Sequence, residues 1–314
     1  MFTIAFISAS GGAGKTTLAV NTAASLAIDG RKVLFIDFDP SAMATRVLLG
    51  RTFDECNLKT LMKRLVEYRR GYLKSMPVIN ECLRQHVIPG NNAAFYVLPG
   101  GNLDEISSEI KNVPDWGLLL RSLTDKLMEE IGYDFDVIIL DSPNWVYQFF
   151  EMTFPLAPPL YVAITRPGLQ EINKFVDFLR RVVNMLYNQK IFVPRNKNYE
   201  SLVSYVVNQY RSNMKAQDIM KAWHEVNEII SREFPNTRPL VTNNMLDKYY
   251  GDEDTEFVGF RYLDEMSLDS YVESGPLYVR KRTTKSTRPI KQFEAYYKLL
   301  KQFISEMTPV EVDH

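Results

Sequence analysis

Short apolar runs recur along the chain at 2–7, 33–36, 95–98, 137–140, 160–165, 202–207 and 257–262. Most are continuous rather than alternating. Strands covered on both faces read this way, because neither side of the sheet meets water. Stretches of helical periodicity lie between them, at 16–28, 59–72, 115–131, 169–186, 216–234 and 290–307. Strand and helix taking turns predicts an α/β fold with a mostly parallel central sheet flanked by helices on both faces. The first crossover ends at Asp29-Gly30-Arg31, a turn signal. Two regions read as additions to a single domain spanning 1–314: a base-rich helical elaboration at 51–92 and a polar, turn-rich insertion at 235–256.

Composition changes this picture little. The chain has 314 residues, 46% of them hydrophobic and 24% charged, which excludes a disordered polymer. No apolar run reaches the ~18 residues of a membrane span, and the first residues lack the basic start of a signal peptide. A cytoplasmic protein is expected. The net charge of −1 gives no global attraction to a polyanion, so any nucleic-acid footprint must be local. Cys56 and Cys82 have no C-x-x-C spacing and read as two reduced, packing thiols. His86, His224 and His314 are too scattered for a local zinc motif.

The chemistry concentrates after the first strand, in Ser8-Ala9-Ser10-Gly11-Gly12-Ala13-Gly14-Lys15-Thr16-Thr17. Glycines between a strand and a helix let backbone N–H groups turn toward a polyphosphate, and the helix N-terminus adds partial positive charge. Lys15 is placed to reach the β- and γ-phosphates, and the Thr16 hydroxyl to ligate Mg²⁺. A dinucleotide fingerprint fits worse, since Thr17 stands where its third glycine belongs. The second apolar strand ends in Asp37-Phe38-Asp39-Pro40, and Val137-Ile138-Ile139-Leu140 runs into Asp141. Strands of a doubly wound sheet deliver their C-terminal ends to one edge, so these carboxylates should meet the phosphate loop. There one can orient a water and others can support the metal.

Taken together, Gly-Gly-x-Gly-Lys-Thr-Thr, Asp-x-Asp-Pro and hydrophobic-Asp-x-Pro resemble the ParA/MinD family of deviant-Walker P-loop ATPases. Ala44-Thr45, Val206-Val207-Asn208 and Glu273-Ser274-Gly275-Pro276 extend the likeness over nearly the whole chain. The resemblance implies ATP and Mg²⁺ as ligands. It implies that Gly11, Gly12, Ala13, Gly14, Lys15, Thr16 and Thr17 cradle the phosphates and that Asn208 contacts the base. Thr16, Asp37, Asp39 and Asp141 would serve the metal, with Lys15 and Asp39 as catalytic residues and Asp39 positioning the hydrolytic water. Hydrolysis would be slow without a partner. ATP would be held between two subunits of a homodimer. Three positions depart from the pattern: Ser10 replaces the signature lysine, Ser41 the usual glutamine, and Asn144 the second proline.

The C-terminal region separates a partition protein from a MinD-like membrane-associated positioning ATPase. Arg280, Lys281, Arg282, Lys285 and Arg288 form a run without an acid, suited to phosphates irrespective of base sequence. The last helical stretch carries Phe293, Tyr296, Tyr297, Leu300, Phe303 and Ile304, a stripe that should cover the sheet rather than anchor to lipid. The reading is therefore a nucleoid-associated DNA-segregation ATPase. It binds DNA nonspecifically, answers to a ParB-like centromere-binding adaptor, and has no stable membrane anchor.

Overall fold

The first strand, β1 (Phe2–Ser8), lies in the interior of the sheet. It pairs in parallel with β5 (Val137–Asp141) on one side and β6 (Pro159–Thr165) on the other. Outward from β5 come β2 (Val33–Asp37), β4 (Ala94–Leu98) and β3 (Arg84–Val87); outward from β6 come β7 (Val203–Tyr210) and β8 (Arg238–Pro239). All these pairings are parallel except β3 with β4, which closes one edge as an antiparallel hairpin. A short β9 (Phe260–Arg261) joins β7 past an irregularity at Asn208/Tyr210. This computed structural model describes residues 2–131, 135–154, 159–190, 197–210, 216–240, 260–261, 268–276 and 287–307.

The continuous apolar runs are two-faced strands, as expected. Every residue of β2 and β5 is buried. Alternate residues serve opposite layers, because successive side chains of a strand point to opposite faces. Leu34, Ile36, Ile138 and Leu140 join one core, with α3 (Leu58–Arg69), α5 (Leu119–Ile131), α6 (Leu169–Asn188) and α7 (Ala216–Glu233). Val33, Phe35, Val137 and Ile139 join the other, with α1 (Lys15–Ile28), α2 (Met43–Leu49) and the last helix. That helix (Thr287–Met307, α9 after the short α4 at Ser107–Lys111 and α8 at Leu268–Ser274) buries Phe293, Tyr296, Tyr297, Leu300 and Phe303 against the sheet. The apolar stripe covers the core, as its spacing predicts.

Several expectations need correction. Region 51–92 is not only helical: α3 occupies part of it, and β3 extends the sheet. Its hairpin was hidden because β3 carries Arg84, Gln85 and His86, too polar to read as a strand. Of the strand expected at 257–262, 260–261 lie among the described residues; of the polar insertion at 235–256, 235–240 do, ending in β8. Cys56 and Cys82 are not free thiols but a disulfide, with Cα atoms 5.0 Å apart. Cys82, itself buried in the core, closes an otherwise exposed 3₁₀ turn (Asn80–Cys82), and Cys56 packs half-buried against the same cluster, next to Asn57 at the α3 N-terminus. Folding, not spacing, brings the two sulfurs together.

Candidate phosphate-binding site

Five neighbouring strands, β2, β5, β1, β6 and β7, end at one edge of the sheet, and the candidate residues gather there. The loop from Ser8 to Lys15 turns through two left-handed glycines, Gly12 (φ 67°) and Gly14 (φ 95°). Gly14 is the residue that starts α1, and no side chain caps the helix. The first N–H groups of α1 are therefore left for an anion. Asn208, at the end of β7, donates its Nδ2 to the Ala13 carbonyl at 2.6 Å. A Cβ at Gly14 would stand 2.2 Å from that nitrogen, so only glycine fits. Lys15 is largely buried, and its Nζ donates to Asn144 Oδ1 at 3.4 Å.

Asp37 and Asp141 are register partners on β2 and β5, both fully buried. Asp37 Oδ2 accepts from the Thr45 backbone N–H at 2.7 Å and its hydroxyl at 2.6 Å. The Gly100 N–H donates to Thr45 Oγ1 at 2.8 Å, and a Cβ on Gly100 would come within 2.9 Å of the Asp37 carboxyl carbon. Burial raises the Asp37 pKa to about 6 despite the Thr45 bonds. Burial pushes Asp141 further, to about 8, against the pull of the Lys15 ammonium and with the added repulsion of Asp37. Neither Asp141 oxygen has a hydrogen-bond partner of ordinary geometry, although the Thr16 hydroxyl stands near. A buried carboxylate left in that condition is costly unless a cation completes it.

Magnesium fits this donor set. Among the described residues, no cluster of three or more His, Cys, Asp or Glu side chains is poised to hold a metal. Mg²⁺ is commonly held by one or two protein oxygens, with substrate phosphates and water filling its octahedron. The unpartnered Asp141 carboxylate and the Thr16 hydroxyl would be those oxygens here. Asp37 has one oxygen committed to Thr45 and one unpartnered. Asp39 is half-exposed beyond the strand end, where its Oδ1 accepts from the Ser41 N–H at 2.9 Å and the Ser41 hydroxyl at 2.6 Å. That turn holds its carboxylate in place while leaving it open to water.

The phosphate loop, Asp37, Asp39, Asp141 and Asn208 thus come together as the motifs predict. Asn208 meets the loop backbone rather than open space, so its carboxamide braces the glycine loop. Arg280, Lys281, Arg282 and Lys285 lie outside the described residues, and of Arg288 only its backbone place in α9 is described. No motif in the sequence marks Arg166, whose guanidinium donates to the Gly11 carbonyl, or Glu171, which accepts from the Ser10 hydroxyl at 2.6 Å. The available signal was position: Arg166 directly follows Thr165, the last residue of β6, at the phosphate-loop edge.

A glycine loop opening a helix, beside carboxylates on adjacent strand ends, defines a P-loop nucleoside triphosphatase. The AAA domain family matches residues 1–191, and the chain belongs to it, as a P-loop ATPase of ParA/MinD type. The virulence plasmid ParA family protein pGP5-D of Chlamydia psittaci is 26% identical over 74% of this chain and 97% of its own length. The chromosome-partitioning ATPase Soj of Treponema pallidum is 30% identical over 45% of this chain and 48% of its own. The fold is shared with apo McdA of Cyanothece (TM-score 0.66, 18% identity, 97% and 99% of the two chains). It is shared too with a Borrelia burgdorferi plasmid partition protein bound to AMPPNP (TM-score 0.60, 16% identity, 96% and 98%). A third such structure is pNOB8 ParA bound to nonspecific DNA (TM-score 0.54, 17% identity, 98% and 99%).

Proposed function

We propose that this chain is an Mg²⁺-dependent ATPase of DNA segregation that dimerises on ATP and then binds DNA without sequence preference. The observation that carries the nucleotide chemistry is the unpartnered Asp141 carboxylate, buried beside Lys15 and Thr16 at the mouth of an uncapped helix. The N–H groups of residues 11–17 receive the phosphates, and Lys15 neutralises the β- and γ-oxygens. Bound Mg²⁺ supplies charge neutralisation and alignment of the phosphates. Asp39, fixed by Ser41, orients a water in line with the terminal phosphorus. That interaction matters most in the transition state, so hydrolysis should depend on it more than binding does. Asn208 closes the cradle next to the base.

The partition role is supported by likeness to pGP5-D along 97% of that protein's length and by a DNA-bound ParA with the same fold. Arg280, Lys281, Arg282, Lys285 and Arg288 are the proposed DNA contacts, paired across the dimer, and a ParB-like adaptor is the proposed stimulator. The test is DNA binding by fluorescence anisotropy, with and without a nonhydrolysable ATP analogue, over a salt series. Binding should require the analogue, ignore base sequence, and weaken with salt by a slope of about −0.9 per phosphate contact. Arg280→Ala with Arg282→Ala should weaken every sequence alike and flatten that slope. Salt-insensitive binding to anionic vesicles, with none to DNA, would replace this reading with a MinD-like one.

A further inference from the structure

Ser10 leaves the loop without the family's signature lysine, and a cation stands beside the gap. Arg166 reaches from the end of β6 onto the double glycine and donates to the Gly11 carbonyl. A Cβ on Gly12 would lie 2.8 Å from its Nη2, so the guanidinium lies directly against the loop. Its Nε is buried and has no hydrogen-bond partner. Guanidinium carries five donors and stays charged throughout the accessible pH range. A neutral carbonyl is a weak acceptor for such a group, and a phosphate oxygen a much stronger one. Ser10, for its part, is engaged elsewhere: its hydroxyl donates to Glu171 on the first turn of α6. That hydrogen bond, with the Lys174 and Arg166 charges, holds the Glu171 carboxyl below its ordinary range, so it stays an anion. Glu171 therefore ties the loop to the element that follows Arg166.

We propose that Arg166 is the second phosphate-binding cation of this site, passing from the Gly11 carbonyl to the terminal phosphate of a nucleoside triphosphate bound in its own subunit. The assignment to the terminal phosphate rests on position. Lys15 and the α1 N-terminus occupy one end of the loop, and Arg166 sits at the other, over Gly11 and Gly12. Glu171 and Ser10 are positioning residues that hold this end of the loop within its reach. The inference rests on the nucleotide-binding reading above and deepens it.

The experiment compares dissociation constants, by calorimetry in Mg²⁺, for a nonhydrolysable ATP analogue and for ADP. In the wild type both should bind. Arg166→Gln should weaken the analogue by about tenfold or more, the loss expected for a hydrogen bond to a charged group, and leave ADP nearly unchanged. Arg166→Lys, which keeps the charge, should recover most of the preference for the triphosphate. Lys15→Ala should weaken both ligands. Arg166→Ala is carried alongside, and circular dichroism selects the variants that fold. Equal weakening of both ligands would reduce Arg166 to a brace for the Gly11 backbone and overturn the proposal. Unchanged affinities would overturn it as well. A wild-type protein that binds neither nucleotide would instead overturn the nucleotide-binding reading, and this one with it.

Discussion

Asp141 and Asp37 sit side by side in the core with pKa values raised by burial to about 8 and about 6, from an ordinary 3.8. Folding favours the protonated form of each, relative to the unfolded chain. Between their unfolded and folded values the unfolded state releases protons that the folded state keeps. Stability of the ligand-free protein should therefore fall as pH rises from about 4 to about 8, at up to about 1.4 kcal/mol per pH unit for each group still titrating. Asp141→Asn imitates the protonated form. It should raise the melting temperature at pH 8, change it little at pH 4, and abolish the further stabilisation expected of the wild type in Mg²⁺ with nucleotide. Calorimetric melts across that range check this; a variant that melts lower at pH 8 would contradict it. Asp39, half-exposed and outside the core, should behave differently. Asp39→Ala should keep ATP affinity within about threefold yet slow hydrolysis by at least about a hundredfold, as for loss of a water-positioning group. Phosphate release and calorimetry on the same preparation separate the two effects.

Among the elements, legibility follows burial. β1, β2 and β5 were readable because both layers of the protein demand apolar side chains of them, α6 and α9 because a long stripe repeats over several turns, and α1 because an alanine-rich run, buried nearly all round, follows the glycine loop. The short pieces were not. β3 is an edge strand with polar residues. α8 is seven residues long and is held by tertiary contacts: the Tyr271 hydroxyl meets His86 Nε2 at 2.9 Å, and His86 Nδ1 meets the Leu48 carbonyl at 2.7 Å. Gly275 ends it with φ 74°, pressed so close to the Pro89 carbonyl that an added Cβ would stand 2.4 Å away. The glycine was visible in the sequence, and its reason was not, because Pro89 is remote along the chain. The same holds for Cys56 and Cys82, separated by 26 residues. A bridge across that interval should stabilise the fold by about 3 kcal/mol through the entropy of the unfolded chain. Reductant should lower the melting temperature by several degrees in the wild type and leave Cys56→Ser with Cys82→Ser unaffected.

At the scale of the molecule, the site was legible where one strand carries its own motif and illegible where partners come from separate strands. Lys15, Asp39 and Asp141 announce themselves within a few residues of a glycine loop or an apolar run. Arg166 and Glu171 gain meaning only once β6 lies against β1. The proposed dimer belongs to this scale as well. Light scattering should give a monomer without nucleotide and twice that mass with the ATP analogue, and a monomer under both conditions would exclude the sandwich. The interior placement of β1 bears on biosynthesis. Both neighbours of β1 come late, at Val137–Asp141 and Pro159–Thr165. At ~5–20 residues per second, a ribosome needs on the order of ten seconds after making β1 before either one emerges. Throughout that interval Phe2, Ile4, Phe6 and Ile7 have no sheet to join, and the loop behind them has no frame. A nascent chain halted before Val137 should thus be caught by chaperones and retain no nucleotide, however complete its glycine motif.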